Sequence, residues 1–523
     1  MKEFVHSRIS ALLLLVRASF PLLVILFLFP FSTVFSESLH VPDPALEDAL
    51  AKTLQVERDE LTEELLASRL TRFQLNGAGV RNLTGLEAAT KLQSLVLRDN
   101  LIQDIKPITG LAYLKRLDLS GNKIRSIRDL DDLAGGGMTI RVAEIQKESE
   151  TPQLLPERKE ALRAELLAIL QKSAKGPWQL EELRLSNNRL LGLTGIGKHL
   201  SLRHLDVSNN ALIDLEGVSN LTNLEVLHLQ GNQLGFVEEF EDINKNEVFD
   251  SGEPFTDLSG NGKRDHDPFG EFGNHPRLRE LYLYENKISS LASMGHLPRL
   301  EVLLLGSNRL NDLSDLVGLK TLKRLSVTDN HLSDLQSISV LDDLEYLYLT
   351  ENRLSDLRPL RKLVQLKELH LQHNHLTDLR PLEFLAQLQV LGLAGNFLTE
   401  LNSLEGLSML RRVTLSDNGL NLESPATREI LDSLRERETR VTVGQQRELN
   451  SEMAPLFLIL TRDKVSNRLL GDYLKKNRYE RLLDYFLDET IPPEEKLARY
   501  STWARTLRDG SFNSKKSLLG ETN

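Results

Sequence analysis

Leu344-Glu345-Tyr346-Leu347-Tyr348-Leu349-Thr350-Glu351-Asn352-Arg353-Leu354-Ser355-Asp356-Leu357 is the clearest copy of a unit, L-x-x-L-x-L-x-x-N-x-L-x-x-L, with a 22-residue period. Further copies start at Leu92, Leu114, Leu180, Leu202, Leu224, Leu278, Leu300, Leu322, Leu366 and Leu388. A weaker one starts at Leu70, and a last one, from Leu410, breaks off. A fixed period of roughly 20–50 residues marks a stacked-repeat architecture. Leu347 and Leu349 are two apart, so in an extended strand both side chains point the same way, into a core. Asn352 falls where the strand must turn. Its amide can serve backbone groups that the turn leaves unpaired, and a column of such amides can bond from coil to coil. That column runs through Asn100, Asn122, Asn188, Asn210, Asn232, Asn286, Asn308, Asn330, Asn352, Asn374, Asn396 and Asn418, with Ala78 in the first unit. Leu354, Leu357, Leu360 and Leu363 return the chain over the same core. One coil buries too little to stand alone, so stability must come from stacked neighbours.

The return segments Asn100-Leu101-Ile102-Gln103-Asp104-Ile105-Lys106-Pro107-Ile108 and Asn352-Arg353-Leu354-Ser355-Asp356-Leu357-Arg358-Pro359-Leu360 follow an N-x-I-x-D-I-x-P-L pattern. With that pattern the chain resembles bacterial leucine-rich repeat proteins of the internalin type. Val41 to Leu50 is similar to their helical cap, and Ser424-Pro425 to about Val443 to their closing helix and strand. The resemblance covers roughly residues 38–445. It implies an α/β solenoid, a horseshoe with a concave parallel β-sheet, and a protein-binding role. The expected organisation is a helical N-terminal cap (38–69), repeats over 70–445 with inserts at about 134–179 and 237–276, and a small C-terminal α-helical bundle (446–523). No wall-sorting motif of the cell-wall-attached members is seen near the C-terminus.

Of 523 residues, 40% are hydrophobic and 27% charged, ordinary values for a soluble protein. A net charge of −11 with no basic run argues against nucleic acid as the main ligand, because phosphate binding needs a concentrated basic surface. At the N-terminus, Lys2 and Arg8 precede apolar Ala11–Val16 and Phe20–Phe31, and Val34-Phe35-Ser36 offers a cleavage site. Residues 1–36 therefore read as an export signal, or as an uncleaved anchor that would be the only membrane contact. Either way the repeats are placed outside the cytoplasm, as a secreted, periplasmic or cell-envelope protein. The absence of cysteine excludes disulfides and thiolate metal sites.

In the first insert, Leu162, Leu166, Ile169 and Leu170 share one face of a helix predicted over 156–174, packing on the solenoid flank or docking a partner. The second insert carries metal chemistry. Asp242, Asn244, Asn246, Asp250 and Glu253 place oxygen donors at loop positions 1, 3, 5, 9 and 12, and Val248 offers its carbonyl at position 7. That order suits Ca²⁺, which takes six to eight hard oxygen ligands. Asp257, Ser259, Asn261, Lys263, Asp265 and Asp267 repeat the pattern with one residue deleted, and Pro254-Phe255 and Pro268-Phe269 close the two copies alike. The pair resembles tandem calcium loops of the EF-hand, dockerin or thrombospondin type 3 kind, although Glu247 stands where such loops carry glycine. Residues 242–267 hold seven acids against three bases and would repel one another without a cation.

Between the core leucines, alternate residues face outward. About 13 strands at ~4.8 Å spacing give a face roughly 60 Å long. Its columns are mostly polar, except where Tyr282, Tyr284, Val302, Leu304, Tyr346 and Tyr348 cluster beside His370, just after the calcium insert. Exposed aromatics bounded by Glu280, Arg324 and Glu368 are the composition of a binding hot spot. Cross-strand packing of tyrosines, or coverage by the insert, would produce the same composition.

Beyond Val443, Leu469–Leu474, Leu482–Leu487 and Tyr500–Leu507 carry helical spacing, either to cap the solenoid or to form a second docking module. No H-E-x-x-H, G-x-S-x-G or P-loop occurs, so no enzyme is expected. The function read from the sequence is a monomeric, exported recognition module for a protein, with a glycan as second choice. The other readings are a structural or adhesive envelope protein and, last, an enzyme within 446–523.

Overall fold

The computed structural model describes residues 38–130, 180–237 and 272–446, with short pieces of the inserts at 158–159, 162–163, 239–243, 253–256, 267 and 269–270. The predicted export segment, most of the helix predicted over 156–174 and the predicted C-terminal helices lie outside these residues. Of that first-insert stripe, Leu162 is described and is fully buried.

Fourteen three-residue strands form one parallel sheet in strict sequence order. They are β1 (Arg72–Gln74), β2 (Ser94–Val96), β3 (Arg116–Asp118), β4 (Glu182–Arg184), β5 (His204–Asp206), β6 (Val226–His228) and β7 (Glu280–Tyr282). There follow β8 (Val302–Leu304), β9 (Arg324–Ser326), β10 (Tyr346–Tyr348), β11 (Glu368–His370), β12 (Val390–Gly392), β13 (Arg412–Thr414) and β14 (Arg440–Thr442). Leu344, Leu347, Leu349, Leu354, Leu357, Leu360 and Leu363 all lie in the core, as the spacing requires. The same apolar interior continues from Val41 to Leu434. Both inserts leave the register intact: Asp118 pairs with Arg184, and His228 with Tyr282.

The asparagine column works as a ladder. Asn352 Oδ1 accepts from the Leu332 N–H of the preceding coil (3.0 Å). Its Nδ2 donates back to the Val327 carbonyl (2.8 Å) and to its own coil at Leu349 (3.1 Å). The pattern recurs from Asn100 to Asn418. It ends on Gln446, whose Oε1 accepts from Leu420 N–H (3.4 Å) and whose Nε2 donates to the Leu415 carbonyl (3.1 Å). The residue before each ladder asparagine is left-handed. Gly121, Asn187 and Asp329 suit that conformation, while Glu285, Ser307, Glu351 and His373 hold φ of 57°, 52°, 56° and 54° there.

The aspartate of the return segment also has a job. Asp356 Oδ1 accepts from Arg358 N–H (2.9 Å) and so starts the 3-10 turn Arg358–Lys362; Asp104, Asp334 and Asp378 repeat the arrangement. On the opposite flank, from Leu114 to Leu366, the residue after each first leucine alternates in sign: Lys115, Glu181, Arg203, Glu225, Arg279, Glu301, Lys323, Glu345, Lys367. Among these, Arg279–Glu301 (3.1 Å), Lys323–Glu301 (2.9 Å) and Lys367–Glu345 (2.6 Å) are ion pairs. Exposed pairs contribute little singly, but one-coil slippage would set like charges together.

Helices cover the ends of the core. In α1 (Pro44–Leu54), Leu46, Leu50, Ala51 and Leu54 are buried. Asp43 caps α1 through Ala45 and Leu46 N–H with one oxygen, and accepts from Arg81 (2.8 Å) and Asn82 (3.2 Å) N–H with the other, tying the cap to the first coil. α2 (Glu63–Arg69), capped by Thr62, leads into β1. At the far end, α3 (Pro425–Glu436) buries Thr427, Ile430, Leu431 and Leu434 before β14.

The second insert rejoins the core through aromatics. Phe240 and Phe255 form an antiparallel bridge at its start. Phe269 and Phe272 are fully buried, edge to face at 5.7 Å, and Phe272 packs on buried His275. Phe269, read in the sequence as a loop closure, is thus a core residue as well.

Candidate partner-binding face

The strands put the first and third residue of each triplet on the concave side, and register decides their neighbours. Tyr282 lies beside His228 and Leu304; Tyr346 lies between Arg324 and Glu368; Tyr348 lies between Ser326 and His370. The sheet thereby brings together the predicted residues Tyr282, Tyr284, Val302, Leu304, Tyr346, Tyr348 and His370. All of them are half-buried. Parallel register accounts for this, because strands about 4.8 Å apart place successive rings in contact, the cross-strand packing that the sequence left open.

Tyr282 stacks on His228 with ring centroids 4.3 Å apart and planes 12° apart, and its hydroxyl donates to Glu280 Oε2 (2.6 Å). Tyr348 stacks on His370 (4.9 Å, 15°), and its hydroxyl donates to Glu368 Oε2 (3.2 Å). The Arg324 guanidinium lies 4.6 Å from the Tyr346 ring centre, within cation–π range. Gln372 extends the second set: it accepts from Thr350 Oγ1 (2.9 Å) and contacts His370 Nδ1 (3.3 Å). It lies over Gly392, where a β-carbon would come 2.2 Å from Gln372 Nε2. The concave glycine therefore makes room for a neighbouring amide.

Burial, reinforced by the hydrogen bond and charge of Glu280, pushes the Tyr282 phenol up to about 12. Burial and the Glu368 charge raise Tyr348 likewise. Burial lowers His228 and His370, outweighing the nearby carboxylates Asp206 and Glu280 for the first and Glu368 for the second. At neutral pH both stacks are therefore uncharged, apolar-bodied surfaces with a polar edge. The sequence reading missed the stacking role of the two histidines. Its signal was there in the 22-residue offset of His370 from Tyr348, and in the insert-lengthened offset of His228 from Tyr282.

Of the predicted calcium donors, Asp242 and Asp267 are half-buried and Glu253 is buried. Glu253 Oε1 accepts from Ile243 N–H (2.9 Å), which folds loop position 12 back beside position 1. Asp267 Oδ1 accepts from Phe269 N–H (3.0 Å). Asn244, Asn246, Val248, Asp250, Asp257, Ser259, Asn261, Lys263 and Asp265 lie outside the described residues.

One short strand per 22-residue coil, an asparagine ladder and a continuous leucine core define a leucine-rich repeat solenoid. Leucine-rich repeat sequence profiles match residues 90–134, 200–245, 276–318 and 364–424, and a second such profile matches 320–376. An internalin from Listeria monocytogenes is similar in structure, with TM-score 0.58 and 22% identity over 80% of this chain and 100% of that one. A leucine-rich repeat protein of Leptospira interrogans follows at TM-score 0.49 and 20% identity, over 79% and 96%. No curated protein matches the chain significantly. The protein is a leucine-rich repeat protein with internalin-like structural neighbours, and such domains act generally as protein–protein interaction modules.

Proposed function

We propose that this is an exported recognition protein that captures a protein partner on its concave face, with the tyrosine set as the hot spot. The observation that carries this reading is the pair of pre-stacked, hydrogen-bonded rings, Tyr282 on His228 and Tyr348 on His370, flanking Val302 and Leu304. Rings already ordered lose little entropy on binding, and aromatic surface supplies most hot-spot energy. Export rests on the sequence of residues 1–36 alone. The test is affinity capture from envelope and external extracts by the wild type and by Tyr282→Ala/Tyr348→Ala. A protein retained by the first and lost by the second is expected; equal retention by both would refute the hot spot.

A structural calcium ion in the second insert is part of the same proposal. The fit rests on Glu253, a buried carboxylate held beside Asp242 by the Ile243 N–H, with the Phe240–Phe255 bridge closing the loop base. Asp242, Asn244, Asn246, Val248, Asp250 and Glu253 would hold one ion, and Asp257 to Asp267 a second. A bound cation would supply the positive charge that offsets the acids. Asp267, bonded to the backbone of core residue Phe269, connects the second loop to the solenoid. Affinity in the roughly 10⁻⁴–10⁻³ M range of extracellular modules is expected. Calorimetry showing neither heat nor added thermal stability at millimolar Ca²⁺ would exclude it.

A further inference from the structure

The concave face carries a second ordered feature, toward its N-terminal end and apart from the tyrosines. There β3 and β4 pair Arg116 with Glu182 and Asp118 with Arg184. Glu182 Oε2 accepts from Arg116 Nε (2.6 Å), and its Oε1 lies 2.6 Å from Arg184 Nη2. Arg98, from the coil before, donates from Nε to Asp118 Oδ2 (2.6 Å). Asp118 is only 1% exposed and also accepts from Ser120 N–H, so its position is fixed. These five side chains surround an open depression of about 360 Å³, with Gln74 and Val96 on its remaining wall.

Three guanidinium groups against two carboxylates leave one net positive charge in a chain whose total is −11. The arginine side chains stay 44%, 59% and 45% exposed at Arg98, Arg116 and Arg184. Among the described residues, Arg98 and Arg116 are bound through Nε alone, which leaves the terminal nitrogens of both forks without a partner. An arginine already held by a carboxylate has lost much of its rotamer freedom, so a second anion meets a pre-oriented fork. Guanidinium forks suit carboxylate and phosphate equally in shape. Charge separates them here. A polyanion such as nucleic acid would have to pass Asp118, Glu182 and Asp206 on the same face, and one net positive charge gives it little return. A single carboxylate needs only the one positive charge that the three guanidinium groups hold in excess of Asp118 and Glu182.

We propose that the depression between β2 and β4 is a carboxylate-binding subsite, which receives an acidic side chain of the protein bound on the same concave face. The inference rests on the recognition reading and adds the chemistry of the partner. β3 and β4 lie four and three strands from β7, so the acidic residue would sit about 15–20 Å from the surface that meets Tyr282.

The test uses the wild-type protein and phenylglyoxal modification of arginine, followed by peptide mass spectrometry. Acetyl-Gly-Glu-Gly-amide is the probe, acetyl-Gly-Gln-Gly-amide its neutral control, and inorganic phosphate the third arm. Arg358 and Arg380, exposed on the flank and paired to their own Asp356 and Asp378, serve as internal references. At tens of millimolar, the glutamyl peptide should slow modification of Arg98, Arg116 and Arg184 at least twofold relative to the references, and the glutaminyl peptide should not. Equal effects of the two peptides, or no effect of either, would overturn the subsite. Protection by phosphate at a tenth of the peptide concentration would overturn its assignment to a protein carboxylate. No protection together with Tyr-dependent capture leaves the recognition face standing and removes this subsite. Protection without Tyr-dependent capture does the reverse.

Discussion

The imidazole of His228 and the phenol of Tyr282, on adjacent strands, lie face to face at 4.3 Å with their planes 12° apart. Burial keeps both rings neutral at pH 7, raising the phenol with help from Glu280 and lowering the imidazole. With the Tyr282 phenol pushed up to about 12, its folded value lies above the unfolded one, near 10. Its contribution to stability is therefore complete below pH ~10 and lost as pH rises through the folded value. An alkaline absorbance titration should show a late phenol step near pH 12 that loses the amplitude of one tyrosine in Tyr282→Phe, with Tyr348 still raised; a variant with an unchanged late amplitude would contradict the assignment.

Asp43 joins the cap to the repeats through four backbone N–H groups, which lower its carboxyl although burial alone would raise it. Asp43→Ala removes a helix cap and two hydrogen bonds to the first coil. A loss of about 2–3 kcal/mol is expected, concentrated in residues 38–100. Hydrogen exchange resolved by segment checks this: accelerated exchange confined to that end is expected, and uniform acceleration would count against a local tie.

The two ends of the asparagine ladder should respond differently. Asn352→Ala strips hydrogen bonds from buried backbone on two coils and should lower stability by roughly 2–3 kcal/mol in urea titration. Gln446→Ala, at the open end with its 3.4 Å contact to Leu420, should cost about 1 kcal/mol or less and fray β14 only. Equal losses would mean that Gln446 is more than a terminal rung.

How much of this was legible in the sequence follows from what the period constrains. The spacing of Leu344, Leu347 and Leu349 determines strand, core and sheet together, because a 22-residue coil has one way to bury them all. The column of Asn352 was legible for the same reason, whereas Gln446 was not, since it lies 28 residues after Asn418 and has a longer side chain. The alternating charges from Lys115 to Lys367 are visible once the coils are aligned, but their pairing needs the register across both inserts. The spacing put Tyr282, Leu304, Tyr346, Tyr348 and His370 on one face of the sheet, where the strands hold them. Cross-strand packing was one of the readings left open, but the histidine partners of Tyr282 and Tyr348 depend on which ring lies 54 or 22 residues away. For the second insert, the pattern of oxygen donors could be read, while the tie of Asp267 to the core through Phe269 required the packing.

Glu351 holds φ of 56° immediately before Asn352 and is exposed. A left-handed conformation costs a non-glycine residue roughly 1–2 kcal/mol, partly offset by the greater freedom of glycine in the unfolded chain. Glu351→Gly should therefore stabilise the array by about 0.5 kcal/mol, whereas glycine at an ordinary exposed site would destabilise. A lower urea midpoint for Glu351→Gly would show that the side chain contributes more than its strain removes.

His275 is fully buried, with Nε2 2.8 Å from the Phe272 carbonyl and Nδ1 3.3 Å from the Leu221 carbonyl. Burial lowers its pKa, outweighing the two carbonyls, which pull it upward. The neutral ring can donate to only one of them, so protonation would satisfy both but at the cost of a charge in the core. Above pH ~6.5 neither the folded nor the unfolded state binds the proton, and stability is complete. As pH falls through that value the unfolded chain takes up a proton that the native state refuses, and stability declines by at most about 1.4 kcal/mol per pH unit until the folded group titrates. His275→Gln keeps a donor without the titration. Urea midpoints at pH 7.5 and 5.5 should fall further apart for the wild type than for this variant. His228, His370 and His375, half-buried and likewise lowered, leave part of the slope in both proteins. An identical slope in the two would move the acid sensitivity away from His275.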